Sequence, residues 1–353
     1  MTPPRNPPDI GRIVIIMPSW VGDSVMATPI LRAIRQVFQK AHLAGIMRPG
    51  LAEVLAGNPW LDETITCHMK GIGGVWRTAK AIRSTKPDAV LLLPNSFRSA
   101  LATRLSGAPM RIGYNRDGRG WLLTHSINVE KSAEPTPTID YYAHLVRTAL
   151  GVEDIDLRME LFVTPADSSA ADKILHDVKD PFVLLNPGGN TGGKPGGNKL
   201  LKRWPVERFA LLADHLASTY GMVTVLSGAP GERDILEAVM EQVSPQTPLV
   251  NLVDRDLNLG NLKAIVQRTA LMITNDTGPR HIAAALGTPL ITLFGPTDHR
   301  WTTINYPNER IILAQPFLPE EQIADQQPAT CRIDRISVSD VAARVKELLT
   351  IDK

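Results

Sequence analysis

Residues 271–297 read LMITNDTGPRHIAAALGTPLITLFGPT, and the order of apolar and polar segments in them indicates the fold class. An apolar run is followed by a small polar turn, a segment with helical spacing and a second apolar run. Continuous apolar strands that alternate with helices are typical of a parallel sheet covered on both faces. The stretch therefore predicts a strand, a helix and a second parallel strand in an α/β layer.

The same alternation of apolar runs and segments with helical spacing recurs along the chain. Further apolar runs end in Pro, Gly or a small polar residue, at residues 14–19, 90–96, 183–189 and 223–230. Helical spacing separates them, as in PILRAIRQVF and WPVERFALLADHLASTY. In doubly wound sheets, ligands bind outside the carboxyl ends of the strands, where these Pro and Gly residues cluster. The sequence predicts an α/β protein with doubly wound parallel sheets and ligand-binding loops at that edge.

A chain of 353 residues fits two domains of ordinary size. Residues 152–180 lack the alternation of apolar strands and helices, which resumes at Pro181. We therefore expect an N-terminal domain at 1–165, a C-terminal domain at 175–353 and a hinge near Thr164 to Ala171. The C-terminal SVSDVAARVKELLT is amphipathic, with Ser337 or Ser339 as its helix cap.

Composition excludes several classes of protein. With 43% apolar and 21% charged residues, the chain has the balance of a globular protein. No apolar run approaches the roughly 18 residues that indicate a membrane span, and the polar, proline-rich start lacks a secretion signal; both favour the cytoplasm. Cys67 and Cys331 are expected to be ordinary thiols. A net charge of +2 argues against a surface devoted to nucleic acid.

The positive charge is unevenly distributed. Residues 76–120 hold nine Lys or Arg against two Asp, and we call this segment the basic window. It is either a set of solvated helix faces or a landing surface for a polyanion such as a phosphorylated lipid.

The glycine-rich segment PGGNTGGKPGGNK, residues 187–199, raises the question of an ATPase. Gly188 to Lys194 fits the first seven places of G-x-x-x-x-G-K-[ST]. Pro195, however, occupies the place where a hydroxyl should hold Mg²⁺. The segment is therefore not a complete P-loop.

The loop SWVGDSVMATP, residues 19–29, joins the first predicted strand to the first helix. It lacks the G-x-G-x-x-G turn, which makes a nicotinamide-dependent dehydrogenase a poor match. Asp23 is either a helix N-cap or a functional carboxylate in the loop. The second interpretation requires the helix to begin with Thr28 as its cap and Pro29 as its first residue.

TNDTGPRHIAAAL, from residue 274, places an acid, a hydroxyl, a glycine and an imidazole at one strand end. Thr277 and Gly278 lead into a helix whose N-terminus can hold phosphate, with His281 in its first turn. The alternative is that Asp276 is only a helix cap. The combination favours a sugar-phosphate ligand.

Other charged residues also flank strand and helix ends. Lys202 and Arg203 precede a helix start, either as anion ligands or as ordinary surface charges. Glu232 follows a strand end, where a carboxylate commonly accepts ribose hydroxyls.

Metal-binding patterns are weak in this sequence. The triplets Asp154-Ile-Asp156 and Asp254-Arg-Asp256 do not lie at clear strand ends, and no His or Cys cluster has zinc spacing. We expect no metal and no cofactor.

Four segments, in order along the chain, resemble the ADP-heptose:lipopolysaccharide heptosyltransferases. They are SWVGDSVMATPILRAIR, PNSFRSALATRLSGAPMRIGYNRDGRGWLLTH, KRWP and NDTGPRHIAAALGTPLITLFGPTD. The resemblance implies a GT-B fold, with two Rossmann-like domains facing each other across a cleft. It also implies inverting, metal-independent transfer of L-glycero-D-manno-heptose from ADP-heptose to the lipopolysaccharide inner core, as its second heptose.

The resemblance also implies roles for individual residues. Asp23 takes the place of the general base. The donor site comprises the phosphate contacts Ser19 and Lys202, the ribose contact Glu232, the heptose contact Asp276, and Thr277, Gly278 and His281 around the pyrophosphate. Gly188 and Gly189 belong to the donor loop, but the segment between Pro187 and Lys202 is roughly seven residues longer than the family pattern. Which of its residues contact phosphate therefore stays open.

The acceptor implied is a Kdo- and heptose-bearing lipid A, which requires peripheral contact with the inner face of the membrane. Arg98 and Arg104 follow the strand end VLLLPNS, and we expect them to contact this acceptor. The alternatives are a related GT-B glycosyltransferase, a nucleotide-sugar epimerase, or a non-catalytic nucleotide-binding protein that needs no carboxylate at position 23.

Overall fold

The structure, a computed structural model, describes residues 10–129, 135–189, 202–315, 318–319, 322–326 and 329–349. The chain divides into two compact units, Met1–Phe162 and Val163–Lys353, here called the N-terminal and C-terminal units. The segment predicted as a hinge, Thr164 to Ala171, contains the start of a helix. Thr164 and Asp167 form a capping box there, with N–O distances of 3.1 and 3.0 Å, which stabilises the helix start.

The N-terminal unit is a parallel sheet with flanking helices. Its strands are β1 (Arg12–Ile16), β2 (His42–Met47), β3 (Glu63–Thr66), β4 (Ala89–Leu92), β5 (Met110–Tyr114) and β6 (His125–Ile127). Its helices are α1 (Val21–Met26), α2 (Thr28–Val37), α3 (Pro49–Leu55), α4 (Ile72–Ser84), α5 (Phe97–Ser106) and α6 (Thr138–Leu150). In the described part of the chain the strand order is β3-β2-β1-β4-β5-β6.

The C-terminal unit repeats this architecture. Its helices are α7 (Pro165–Ile174), α8 (Val206–Tyr220), α9 (Arg233–Gln242), α10 (Leu259–Arg268), α11 (Gly278–Leu286) and α12 (Val338–Leu349). Its strands are β7 (Phe182–Asn186), β8 (Val223–Leu226), β9 (Leu249–Asn251), β10 (Leu271–Asn275), β11 (Leu290–Phe294) and β12 (Glu309–Leu313). These described strands pair in the order β12-β11-β10-β7-β8-β9, again all in parallel.

Each sheet reverses its strand order beside its first strand. In the N-terminal unit, Ile16 of β1 pairs with Ile46 of β2 on one side and with Leu92 of β4 on the other. In the C-terminal unit, β7 lies between β8 and β10. Such reversal points open a crevice at the carboxyl ends of the strands, which is where doubly wound sheets bind ligands. A ligand-binding site is therefore expected at each of the two reversal points.

The stretch from which the fold was predicted forms β10, α11 and β11, and every residue of both strands is buried. The predicted doubly wound α/β class is confirmed. Ser337 caps α12, because its hydroxyl accepts the Asp340 N–H at 3.1 Å, whereas Ser339 lies inside the helix. Both cysteines are buried free thiols. None of the described helices is both long and apolar enough to span a bilayer.

Candidate functional site

The reversal point of the C-terminal sheet is organised by Asn275, the last residue of β10. Its side chain is buried, and its amide donates to the carbonyls of Pro187 and Gly188 at 3.0 and 2.9 Å. Its amide oxygen accepts the N–H of Trp204 at 3.1 Å. One amide therefore holds the start of the glycine-rich segment, the KRWP segment and the end of β10 together. Sequence reasoning missed Asn275, because the sequence shows a polar residue at the end of an apolar run but shows neither its burial nor its partners.

A second buried amide, Asn186 at the end of β7, extends this network. Its Nδ2 donates to the carbonyl of Ser227 at 2.8 Å, which joins the ends of β7 and β8. The hydroxyls of Thr274 and Thr277 lie 3.0 Å apart and both face its amide oxygen at 3.4 Å. The Thr277 hydroxyl therefore points inward.

Gly188 and Gly189 are brought together with Glu232, as the donor-site prediction requires. One Glu232 carboxylate oxygen accepts the Gly189 N–H at 2.6 Å, and the other accepts the Ala229 N–H at 2.8 Å. A Cβ at Gly188 would lie 2.3 Å from this carboxylate, so a side chain at this position would require the Glu232 carboxylate to move. Gly189 has φ +153°, a conformation that favours glycine. Glu232 thus shapes the turn.

Lys202 and Arg203 differ in what they do. The Arg203 guanidinium donates to the carbonyl of Gly189 at 2.9 and 3.2 Å, so Arg203 ties the KRWP segment to the glycine turn. The Lys202 side chain is exposed. Lys194 and Pro195, with the rest of 190–201, lie outside the described residues.

Helix α11 starts at the same edge. Thr277 is its N-cap residue, but its hydroxyl makes no capping bond. The interpretation of Asp276 as the cap is therefore wrong. Pro279 in the first turn has no N–H, so the Gly278 amide is the first donor that the helix can offer to an anion.

Arg280 is a buried cation behind this turn, and sequence reasoning missed it. Its guanidinium is fully buried, pairs with Glu309 at 2.6 Å and lies 3.7 Å from the Asp276 carboxylate. It also stacks over the Phe294 ring, 5.0 Å from the centroid. Arg280 therefore helps to position the predicted heptose contact.

His281 lies in the first turn of α11, as predicted, with only 3% of its surface exposed. Burial first, and then the neighbouring Arg280, holds the pKa of His281 well below its ordinary value. Its Nδ1 has no hydrogen-bond partner among the described residues. The imidazole is consequently neutral at physiological pH.

In the N-terminal unit, Asp23 occupies a position that neither interpretation anticipated. Helix α1 begins at Val21, with Trp20 as its N-cap residue, so Asp23 lies in the first turn rather than at the cap or in a loop. Helix α2 does begin at Thr28, but the Thr28 hydroxyl donates to the carbonyl of Val25 at 2.8 Å instead of capping the helix. An acid in a first turn is stabilised by the helix dipole.

Tyr142 of α6 is a neighbour of Asp23 that the sequence did not reveal. The Tyr142 side chain is buried, and burial, then the charge of Asp23, then Tyr141 raise its pKa well above the ordinary value. The phenol therefore stays protonated and can donate a hydrogen bond.

The two arginines predicted to contact the acceptor lie apart. Arg98 is in the first turn of α5, donates to the carbonyl of Gly71 and lines a pocket that Ser19 also lines. Arg104 lies in the last turn, about 9 Å further along the helix at 1.5 Å per residue, and does not line that pocket.

In the part of the chain that the structure describes, no group of three or more His, Cys, Asp or Glu residues is placed to hold a metal ion. The two Asp-x-Asp triplets of the sequence contain aspartates that form ion pairs, and in the first of them Asp156 pairs with Arg32 at 3.3 Å. Asp254 pairs with Arg233.

Solved structures and curated relatives resemble this chain along most of its length. E. coli ADP-heptose LPS heptosyltransferase II superposes with a TM-score of 0.80 at 24% identity, covering 97% of this chain and 99% of that one. E. coli heptosyltransferase WaaC, solved with ADP-2-deoxy-2-fluoro heptose, gives 0.69 at 18% identity over 95% and 99%. Lipopolysaccharide heptosyltransferase 2 of E. coli K12 is 27% identical, over 82% of this chain and 84% of its own.

Two doubly wound parallel sheets, with the superpositions above, give the chain the GT-B fold. The model of glycosyltransferase family 9 (heptosyltransferase) matches residues 75–330. The chain belongs to this family, and the protein is a glycosyltransferase.

Proposed function

We propose that this protein transfers L-glycero-D-manno-heptose from ADP-heptose to the lipopolysaccharide inner core, as its second heptose and with inversion. The carrying observation is the convergence on Asn275 of the glycine turn, the KRWP segment and the strand end that leads into α11. A glycine turn, a basic segment and a helix N-terminus are groups that can bind the phosphates of a nucleoside diphosphate. The lipopolysaccharide heptosyltransferase 2 relative and the ADP-sugar analogue bound to WaaC support the same donor and acceptor class.

Each donor contact has a chemical reason. Lys202 and the Gly278 amide would stabilise the negative charge that develops on the departing ADP, and Ser19 is proposed as a further phosphate contact. Each Glu232 oxygen accepts one N–H, which leaves acceptor capacity for ribose hydroxyls. Asp276, positioned by Arg280, would accept the heptose hydroxyls.

Asp23 is the proposed general base. It would take the proton from the acceptor hydroxyl as the new C–O bond forms and the bond to the ADP phosphate breaks.

The acceptor is an anionic lipid, and we propose that the N-terminal unit contacts the inner face of the membrane. Trp76 is the first residue of the basic window and is 63% exposed, and Trp121 directly follows the window and is 72% exposed. Exposed indole rings favour the membrane interface, and each basic residue near an anionic leaflet contributes about 1 kcal/mol.

The function is tested by incubating the full chain with ADP-heptose and core lipids truncated before or after the first heptose. Mass spectrometry of the lipid should show the addition of one heptose to the acceptor that already carries one. Addition to the heptose-free acceptor would place the enzyme one step earlier. Recovery of every lipid unchanged, or of an epimerised sugar nucleotide, would refute the proposal.

A further inference from the structure

Arg280 of α11 is fully buried, and its guanidinium is held by two other elements of the C-terminal unit. Its Nε and Nη2 atoms donate to the two carboxylate oxygens of Glu309 on β12, at 2.6 and 3.0 Å. Its Nη1 atom donates to the carbonyl and hydroxyl oxygens of Thr302, at 2.9 and 3.0 Å, in the short turn His299–Thr302 that follows β11. The guanidinium is therefore fixed in one orientation.

Glu309 is fixed in the same way. Only 4% of its side chain is exposed, and its Oε1 atom also accepts the hydroxyl of Thr292 on β11 at 2.6 Å. A two-pronged pair of guanidinium and carboxylate is strong and specific in its geometry. The pair therefore joins α11, β11 and β12 and leaves its two charges little freedom to move.

The fixed guanidinium also faces Asp276. Its Nη1 atom lies 3.7 Å from the Asp276 carboxylate, of which 17% is exposed. This distance is too long for a hydrogen bond, so the link is an attraction between charges. Such an attraction is stronger in a poorly hydrated environment than in water. Arg280 is therefore a stationary charge that sets the place of the Asp276 carboxylate.

The charges of these three residues balance in a way that suits a sugar. The two carboxylates and the guanidinium carry one negative charge in total. A carboxylate accepts hydrogen bonds and donates none, so Asp276 can bind the hydroxyl groups of a sugar but not a phosphate. The cluster can therefore distinguish the sugar of a sugar nucleotide from its phosphates.

We propose that Arg280 and Glu309 are positioning residues that make the donor site select ADP carrying a sugar over free ADP. They act through Asp276, whose carboxylate accepts the sugar hydroxyls and repels a phosphate that has lost its sugar. The proposal rests on the proposed function, because it assigns this sugar to the donor of that reaction. A donor site built in this way releases ADP more readily once the sugar has been transferred.

The test uses a variant that removes both charges of the pair, Arg280→Met/Glu309→Gln, called here the neutral-pair variant. Methionine keeps an unbranched side chain against Phe294, and glutamine keeps an oxygen for the Thr292 hydroxyl. Replacing both members of a buried pair is tolerated better than removing one, and the net charge of the cluster stays the same.

The matched control is Arg310→Met/Glu347→Gln. It makes the same two changes in a more exposed pair that begins at the next residue of β12, with 29% and 42% of the two side chains exposed. Neither of these residues contacts Asp276 in the described part of the chain. The control should therefore keep the donor binding of wild type.

Calorimetry gives the dissociation constants of each protein for ADP and for ADP-heptose, and their ratio is the sugar selectivity. In the neutral-pair variant the sugar selectivity should fall about tenfold or more, as for the loss of one hydrogen bond to a charged group. Its affinity for ADP should change by less than about threefold. A merely structural pair would weaken ADP and ADP-heptose binding alike. That result, or the sugar selectivity of wild type, would overturn the proposal.

The route through Asp276 is tested by Asp276→Asn, alone and combined with the neutral-pair variant. Asp276→Asn should lower the sugar selectivity, and the combined variant should lower it no further, because residues that act through one contact are not additive. Additive losses would contradict the proposal. If the neutral-pair variant does not fold, Arg280→Lys takes its place, because lysine keeps the charge but loses the two-pronged pairing with Glu309. It should show a loss of sugar selectivity that is absent when Asp276→Asn is already present.

These binding measurements separate the proposal from the proposed function. If wild type transfers no heptose to any core lipid but the neutral-pair variant loses sugar selectivity, the function fails and the positioning pair stands. If heptose is transferred and the sugar selectivity is unchanged in the variant, the function stands and the positioning pair does not. Equal affinity of wild type for ADP and ADP-heptose would also refute the positioning pair.

Discussion

Arg280 and Glu309 form a buried ion pair in the C-terminal unit, with 0% and 4% of their side chains exposed and the Nε and Oε1 atoms 2.6 Å apart. Glu309→Gln would leave the arginine charge buried with less compensation. Breaking such a pair from one side costs about 3–5 kcal/mol, so urea unfolding should show a loss of that order.

A matched control is Glu347→Gln. Glu347 pairs with Arg310 at 3.3 Å, but 42% of its side chain is exposed. The median surface pair contributes about 0–1 kcal/mol, so this variant should lose little stability. Similar losses in both variants would mean that burial does not govern the Arg280 pair.

Asp23→Asn should reduce heptose transfer by at least about 10², as removal of a general base does. The affinity for ADP-heptose, measured by calorimetry, should change by no more than a few-fold. Asp140→Asn controls for the helix dipole, since Asp140 is likewise an acid in a first turn, that of α6. Near-normal turnover of Asp23→Asn would leave the carboxylate with a helix-stabilising role alone.

Glu232→Ala should weaken donor binding, because it removes the acceptor of the Gly189 and Ala229 N–H groups that shape the glycine turn. At about 1–3 kcal/mol for a hydrogen bond to a charged group or a buried group left unpaired, the KM for ADP-heptose should rise by about fivefold to 150-fold. Glu237→Ala, on the exposed face of α9, should leave this KM unchanged. A KM like that of wild type in Glu232→Ala would exclude Glu232 from the donor site.

His281 should make stability depend on pH. Its folded pKa lies well below 6.5, so the unfolded chain binds a proton that the folded imidazole does not. This contribution to stability is complete above about pH 6.5 and is lost as the pH falls from there towards the folded pKa. In urea titrations between pH 7 and 5, His281→Gln should lack this part of the decline. The exposed His68→Gln should retain it, and parallel curves for all three proteins would contradict the assignment.

The glycine-rich segment should not act as a P-loop. Lys202→Ala should reduce turnover far more than Lys194→Ala, and the protein should not hydrolyse ATP, because Pro195 replaces the Mg²⁺-binding hydroxyl. Steady-state rates and a phosphate-release assay measure both. The reverse ranking, or Mg²⁺-dependent ATPase activity, would reassign the segment.

The central strands were predictable because both faces are covered, so every residue of LMITN and LITLF is buried and most of them are apolar. The edge strand β3 reads ETIT and is mostly exposed, which leaves no such signal. Helix α1 has six residues, too few for helical periodicity to be read. Asn275 and Arg280 were missed for another reason: a sequence shows that a residue is polar, but not that the fold buries it and gives it partners.

The bond from the Arg203 guanidinium to the Gly189 carbonyl has a consequence for how this protein can evolve. Together with the bonds from Asn275 to Pro187 and Gly188, it fixes the residues on both sides of the segment between Gly189 and Lys202. The length of that segment can therefore change without moving the residues next to it. The entropic cost of joining two fixed points by a chain segment grows slowly with its length, and a doubling costs only about 0.6 kcal/mol. Insertions and deletions can therefore accumulate between these two anchors at little thermodynamic cost, and lineages can differ there in length while keeping the same flanking geometry.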